Sequence, residues 1–105
     1  MRFELHKNGI DVDSSLEKAV DVKVAKLSER LKRYHPEVAE LEMRLEAISS
    51  DNSYQAALKL MAFKDTLHAK KSAPVLREAV DRVFEAMFKE LDAYRSRINK
   101  NLNYA

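Results

Sequence analysis

The chain has no cysteine, a single glycine (Gly9) and two prolines (Pro36 and Pro74) in 105 residues. Without cysteine there are no disulfides, no thiol nucleophile and no thiolate metal site, and a cytoplasmic location is the expected setting. One glycine cannot build a glycine-rich phosphate loop. No H-x-x-x-H spacing occurs, and Asp11-Val12-Asp13 lacks the remaining ligands of a calcium loop. His6, His35 and His68 have no nucleophile near them in sequence, so no catalytic triad is legible and no enzyme activity is expected. No apolar run approaches the ~20 residues that span a bilayer, and the segment from Met1 to Lys7 lacks the apolar core of a signal peptide. These absences leave no reason to expect a cofactor, a resident metal, a membrane partner or a small-molecule substrate.

A large net charge is missing too. Charged residues make up 34% of the chain, yet they balance to +2, and the hydrophobic fraction of 46% is that of a globular domain rather than a disordered chain. The charges are nevertheless segregated. From Val22 to His35 there are five basic residues and one acid; from Glu37 to Ser53 there are five acids and one base. Such segregation creates a field with a preferred partner or orientation.

What is present is strong periodicity. From Asp13 to Tyr34 apolar residues recur at helical steps: Leu16, Val20, Val24, Leu27, Leu31 and Tyr34. Asp13 and Ser14 both suit the N-cap, Ser14 with Glu17 has capping-box spacing, and Pro36 closes the pattern. Lys23, Lys26, Arg30 and Arg33 line one edge of the apolar stripe, while Glu17 and Asp21 line the other. A second helix is expected from about Pro74, with Leu76, Val80, Val83, Met87, Leu91, Tyr94 and Ile98 as its stripe and Phe84 and Phe88 beside it. Period-two alternation marks strands at Arg2–Lys7, Glu40–Ile48, Tyr54–Phe63 and Thr66–Lys70, with Lys64-Asp65 as the last turn. The third strand's open side would carry Met61 and Phe63.

The element order is therefore β-α-β-β-β-α. The expected fold class is α+β: a single domain over residues 1–100 with a short polar tail at 101–105. A four-stranded mixed sheet is covered on one face by both helices, because glutamates occupy the other side of the second strand. If each element reverses direction, the helices run parallel and their C-terminal ends meet at one end of the domain. Arg30 and Arg33 would end one helix there, and Arg95, Arg97 and Lys100 the other. Arg2 and Lys64 would join this basic pole, with Asp11, Asp13 and Asp51 at the opposite end. Lys70 and Lys71, read as entering the second helix, would combine with its N-terminal amides as a phosphate site. Arg82 and Lys89 follow along that helix. The twelve candidate RNA-binding residues are thus Lys23, Lys26, Arg30, Arg33, Lys64, Lys70, Lys71, Arg82, Lys89, Arg95, Arg97 and Lys100.

Three short stretches, in this order and spacing, resemble a known family. Val24-Ala25-Lys26-Leu27 with its basic helix end is similar to the first helix of the bacterial ribosome hibernation factors, Leu67-His68-Ala69 to their last strand, and Ala79-Val80-Asp81 to their second helix. Where that family carries an acid and a tyrosine before the last of these, this chain has Val75 and Arg77. Its second helix is also more acidic, with Glu78, Glu85, Glu90 and Asp92. The resemblance implies a short-form, non-enzymatic factor. It would dock its basic helices on small-subunit ribosomal RNA, in the tRNA and mRNA channel, and inhibit translation on idle ribosomes. Two other readings fit the element order: a double-stranded RNA-binding module, and a protein-interaction domain that has lost RNA binding.

Overall fold

The computed structural model describes residues 1–34, 39–62 and 65–103. The elements are β1 (Arg2–Asn8), α1 (Ser14–Tyr34), β2 (Glu40–Ile48), β3 (Ser53–Ala62), β4 (Asp65–Ala73) and α2 (Leu76–Asn103), in the expected order β-α-β-β-β-α. The sheet is mixed and runs β1-β2-β3-β4. β1 and β2 are parallel, joined through α1, and β2-β3-β4 are consecutive antiparallel hairpins.

Alternation fixes which side of the sheet is covered. Phe3, Leu41, Leu60 and Leu67 form one cross-strand row on the inner face, and Leu5, Met43, Leu58 and Ala69 form the next. A slip of one residue in any strand would turn its whole set outward. Both helices lie over these rows. Leu16, Val20, Leu27 and Leu31 from α1 meet Val80, Val83, Phe84, Met87 and Leu91 from α2 in one buried cluster with the strands. Of the residues expected on the inner faces, Leu5, Val24, Leu76, Phe88 and Tyr94 pack partly exposed at the margins of this cluster. Among the described residues no polar or charged residue is buried.

The helices are parallel. Lys23 of α1 reaches Asp81 of α2 (3.2 Å), and further along Arg30 reaches Asp92 (3.3 Å). Their C-terminal ends therefore share the end of the domain where β1, β2 and β4 begin. With 28 residues, α2 is about 42 Å long at 1.5 Å per residue, whereas nine-residue strands reach about 30 Å. Its last turns overhang the sheet, which accounts for a longest molecular dimension of 50 Å.

One of the two expected α1 caps is used, and two later boundaries differ from expectation. The cap of α1 is Asp13, whose Oδ1 accepts the Leu16 amide (2.7 Å) while its carbonyl accepts the Glu17 amide (3.0 Å). Ser14 is thus the first helical residue. β4 continues through Ala73 because its backbone pairs with β3 as far as Tyr54. Lys70 and Lys71 consequently lie inside β4, facing opposite sides of the sheet, and do not enter α2. α2 in turn begins at Leu76 after Val75, whose carbonyl accepts the Ala79 amide (3.1 Å). Val75 occupies the cap position with no side-chain acceptor to offer. His35, Pro36, Phe63 and Lys64 lie outside the described residues.

Two stability measurements check this packing. Leu27→Ala and Phe84→Ala should each cost about 2–5 kcal/mol in chemical denaturation, because both side chains are fully buried. Val75→Ser supplies the missing cap acceptor and completes a capping box with Glu78, so it should stabilise the domain by ~1 kcal/mol. No gain from Val75→Ser would show that the α2 start is capped in another way.

Candidate nucleic-acid interface

The candidate residues do not form one surface. α1 turns its basic edge toward α2 because its apolar stripe is fixed on the sheet. Lys23 and Arg30 thereby meet acids of α2: Lys23 Nζ lies 3.2 Å from Asp81, and Arg30 lies 3.3 Å from Asp92 and 4.6 Å from the centroid of the Phe88 ring. The expected lengthwise ridge is thus partly neutralised by the neighbouring helix. Between the helices Val22, Ala25 and Phe88 floor an open groove of about 610 Å³, edged by Lys26, Glu29 and Arg30. Lys26 is exposed and, among the described residues, forms no ion pair.

A second group gathers where α2 crosses the free edge of β4. Lys71, Arg82 and Lys89 border one groove of about 330 Å³. Arg82 donates to the Ser72 carbonyl (3.2 Å) and pairs with Glu78, and Lys89 lies 3.6 Å from Glu85. These contacts tie Arg82 to the sheet edge, so part of its role is structural. Lys70 stands apart on the outer face of the sheet, beside Ala57.

The basic pole is present in outline. Arg2 begins β1, Arg30 and Arg33 lie in the last turns of α1, and Arg97 lies on the overhanging turns of α2. For Arg33 and Lys100 the structure describes the backbone alone. Acids share this end. Arg2 contacts Glu4 (3.5 Å) and Glu40 (3.9 Å), and Asp65 accepts a hydrogen bond from the Tyr94 hydroxyl (2.8 Å), with the Arg97 guanidinium 5.8 Å from the Tyr94 ring. The Tyr94–Asp65 bond pins the second half of α2 to the start of β4. Burial raises the Tyr94 pKa above its usual 10.0 and donation to the Asp65 carboxylate raises it further, against a smaller lowering by Arg97.

The sequence reading missed the company Lys70 keeps. Strand register brings Arg44 of β2 and Lys59 of β3 alongside it on the outer face. Single-strand alternation shows that each points outward; only the register shows that they converge. Glu4, His6 and Glu42 also converge across β1 and β2, with ligand atoms within 4.8 Å of one another. That set could donate to a divalent cation, but Arg2 already contacts Glu4, and His6 lies 3.5 Å from Glu4 and 3.3 Å from Glu42. The approach of His6 to both carboxylates accounts for the geometry.

The chain is thus a one-sided α+β domain, with two parallel helices on one face of a four-stranded mixed sheet. Residues 3–99 match the family described as Sigma 54 modulation protein / S30EA ribosomal protein, and the chain belongs to that family. This agrees with the resemblance carried by Val24–Leu27, Leu67–Ala69 and Ala79–Asp81. The crystal structure of the Thermus thermophilus Protein Y N-terminal domain has the same fold. It superposes with a TM-score of 0.71 over 90% of this chain and 99% of that one, at 16% identity. A ribosomal subunit interface protein from Coxiella burnetii superposes with a TM-score of 0.75 over 91% and 99%, at 14% identity. None of the curated protein sequences matches. Among the described residues no helix is long and apolar enough to cross a membrane.

The Tyr94 clip has a direct optical check. In an absorbance titration, the difference between wild type and Tyr94→Phe should show a tyrosine ionising above 10.0. Asp65→Asn should lower that midpoint only in part, since burial persists. The sign for stability follows. The folded state holds this proton more tightly than the unfolded chain, so the contribution is intact below the unfolded value and is lost as pH rises through the raised one.

Proposed function

We propose that this protein is a non-enzymatic, cytoplasmic ribosome-docking factor that binds small-subunit ribosomal RNA and inhibits translation on idle ribosomes. Membership of the S30EA ribosomal protein family across nearly the whole chain carries this reading. The geometry supports it. The parallel helices bring basic residues of both C-termini to one end, and Lys26 and Lys71 open onto grooves on the helix side of the domain. The one aromatic ring lining these grooves, Phe88, is covered by the Arg30 guanidinium 4.6 Å from its centroid, which favours recognition of RNA by backbone and shape. The ion pairs on Lys23 and Arg30 do not preclude contact. Both are partly solvent-exposed pairs, close to the surface kind worth about 0–1 kcal/mol, so an RNA phosphate can replace the carboxylate. The double-stranded RNA-binding alternative gains no support from the sheet, where β1 adds a parallel strand paired along its whole length to β2.

Gradient sedimentation of purified small subunits with this protein tests the reading. Co-sedimentation should be lost steeply as salt rises, because phosphate contacts release counterions. Lys26→Gln, Arg30→Gln and Arg33→Gln together should weaken it and flatten the salt dependence while leaving the thermal midpoint near wild type. Salt-insensitive co-sedimentation would point to protein–protein contacts, and no co-sedimentation at low salt would overturn the proposal.

A further inference from the structure

The outer face of the sheet carries a cationic site that the helix side does not share. Arg44, Ala57 and Lys70 stand abreast on β2, β3 and β4. Lys59 follows Ala57 by two residues on the same face, opposite His68 on β4. At the usual strand spacing the Cα atoms of Arg44 and Lys70 are about 10 Å apart, with only the methyl group of Ala57 between them. The result is a depression of about 360 Å³ walled by Arg44, Lys59, His68 and Lys70, with Glu42 on its β1 side. All four of these basic residues are exposed.

Pairing sets this site apart. Glu42 is the acid directly across from Lys59, but its carboxylate lies 3.3 Å from His6, on the side away from β3. Glu4 and Glu40 contact Arg2. Among the described residues Arg44, Lys59 and Lys70 therefore form no ion pair. On the helix side Lys23, Arg30, Arg82 and Lys89 each have a carboxylate partner. An anion arriving at Lys23 or Arg30 must displace that carboxylate; one arriving above Ala57 displaces only water and counterions.

We propose that the Ala57 depression binds a backbone phosphate of RNA, making the open sheet face a second RNA contact on the side opposite the helices. This rests on the RNA-docking reading above and extends it to residues outside the helix surface. The chemistry selects phosphate. A guanidinium fork and two mobile ammonium groups converge on a shallow, solvent-open hollow with a small floor and no Phe, Tyr or Trp in its lining. Such a hollow admits a tetrahedral anion.

Two measurements test this. The first is nuclear magnetic resonance of the wild-type protein titrated with a short oligouridylate. The backbone signals of Ala57 and its neighbours in β2 and β4 should shift, and Ala57→Glu, which places a carboxylate in the hollow, should abolish the response. The second is the salt dependence of binding to purified small subunits. Each phosphate contact removed from a single strand lowers the log–log slope by ~0.7. Arg44→Gln, Lys59→Gln and Lys70→Gln together should therefore lower it by about 0.7, for the one phosphate the hollow holds, whereas Lys59→Arg with Lys70→Arg should retain wild-type binding. Thermal midpoints near wild type would exclude unfolding as the cause.

Unchanged subunit binding in the triple glutamine variant, with the Lys26/Arg30/Arg33 variant weakened, would overturn the sheet site and leave the docking function standing. Weakened subunit binding without an Ala57 response to oligouridylate would assign the face to an acidic protein segment and overturn the RNA proposal. If the wild type fails to bind subunits, an Ala57 response would sustain the phosphate site while the docking function falls. Absence of both would overturn both.

Discussion

One constraint governs this domain: its sheet has a single apolar face. The inner rows from Phe3 to Leu67 and from Leu5 to Ala69 must be covered, while the alternate positions carry Glu4, Glu40, Glu42, Arg44, Lys59 and Lys70 and must stay wet. Both helices are thereby forced onto one side. A parallel β1–β2 pair joined through α1, followed by two hairpins, then leaves them pointing the same way. Parallel helices place two partially negative C-terminal ends together. The basic residues that end α1 and α2 offset this, so the pole has a structural reason to exist whatever it binds.

The same arrangement explains why the acids of α2 matter. Fixing α1's apolar stripe on the sheet rotates its basic edge toward the neighbouring helix, and Asp81 and Asp92 stand where that edge arrives. These partly exposed pairs add little to stability. Their larger consequence is for the field: they convert a ridge of like charges into a line of dipoles that falls off faster with distance. Arg30 keeps a second attachment through the face of Phe88, so its guanidinium stays in the interhelical groove even when an anion competes for it.

The helices and β2 were legible in the sequence because each repeats its own period over many residues. The inner-face rows followed from the alternation. Positions that depend on pairing between strands were not legible. β4 looks like a strand only as far as Lys70 because Lys71 and Ser72 break the apolar alternation; it extends to Ala73 because β3 supplies partners for its backbone. The same gap hid the convergence of Arg44, Lys59 and Lys70. Each outward position can be read singly, but their adjacency depends on the registers of two hairpins, and those are set by turns that composition does not specify. The α1 cap was ambiguous for a smaller reason. Asp13 and Ser14 are equally good acceptors, and where Ile10 and Val12 pack against the core sets the point at which the helix starts.

Electrostatics ties the two faces together. At a net charge of +2 the domain as a whole exerts little pull on a polyanion, and charges separated by more than ~8 Å act nearly independently at physiological salt. Any strong attraction must come from cations lying close together without acids between them. The helix layer meets the first condition and largely fails the second. On the sheet, Arg2 and His6 draw Glu4, Glu40 and Glu42 toward one edge, and this leaves Arg44, Lys59 and Lys70 without an ion-pair partner among the described residues. A nearly neutral protein can in this way present local patches of one sign, and their placement follows from which carboxylates the strand register allows each base to reach.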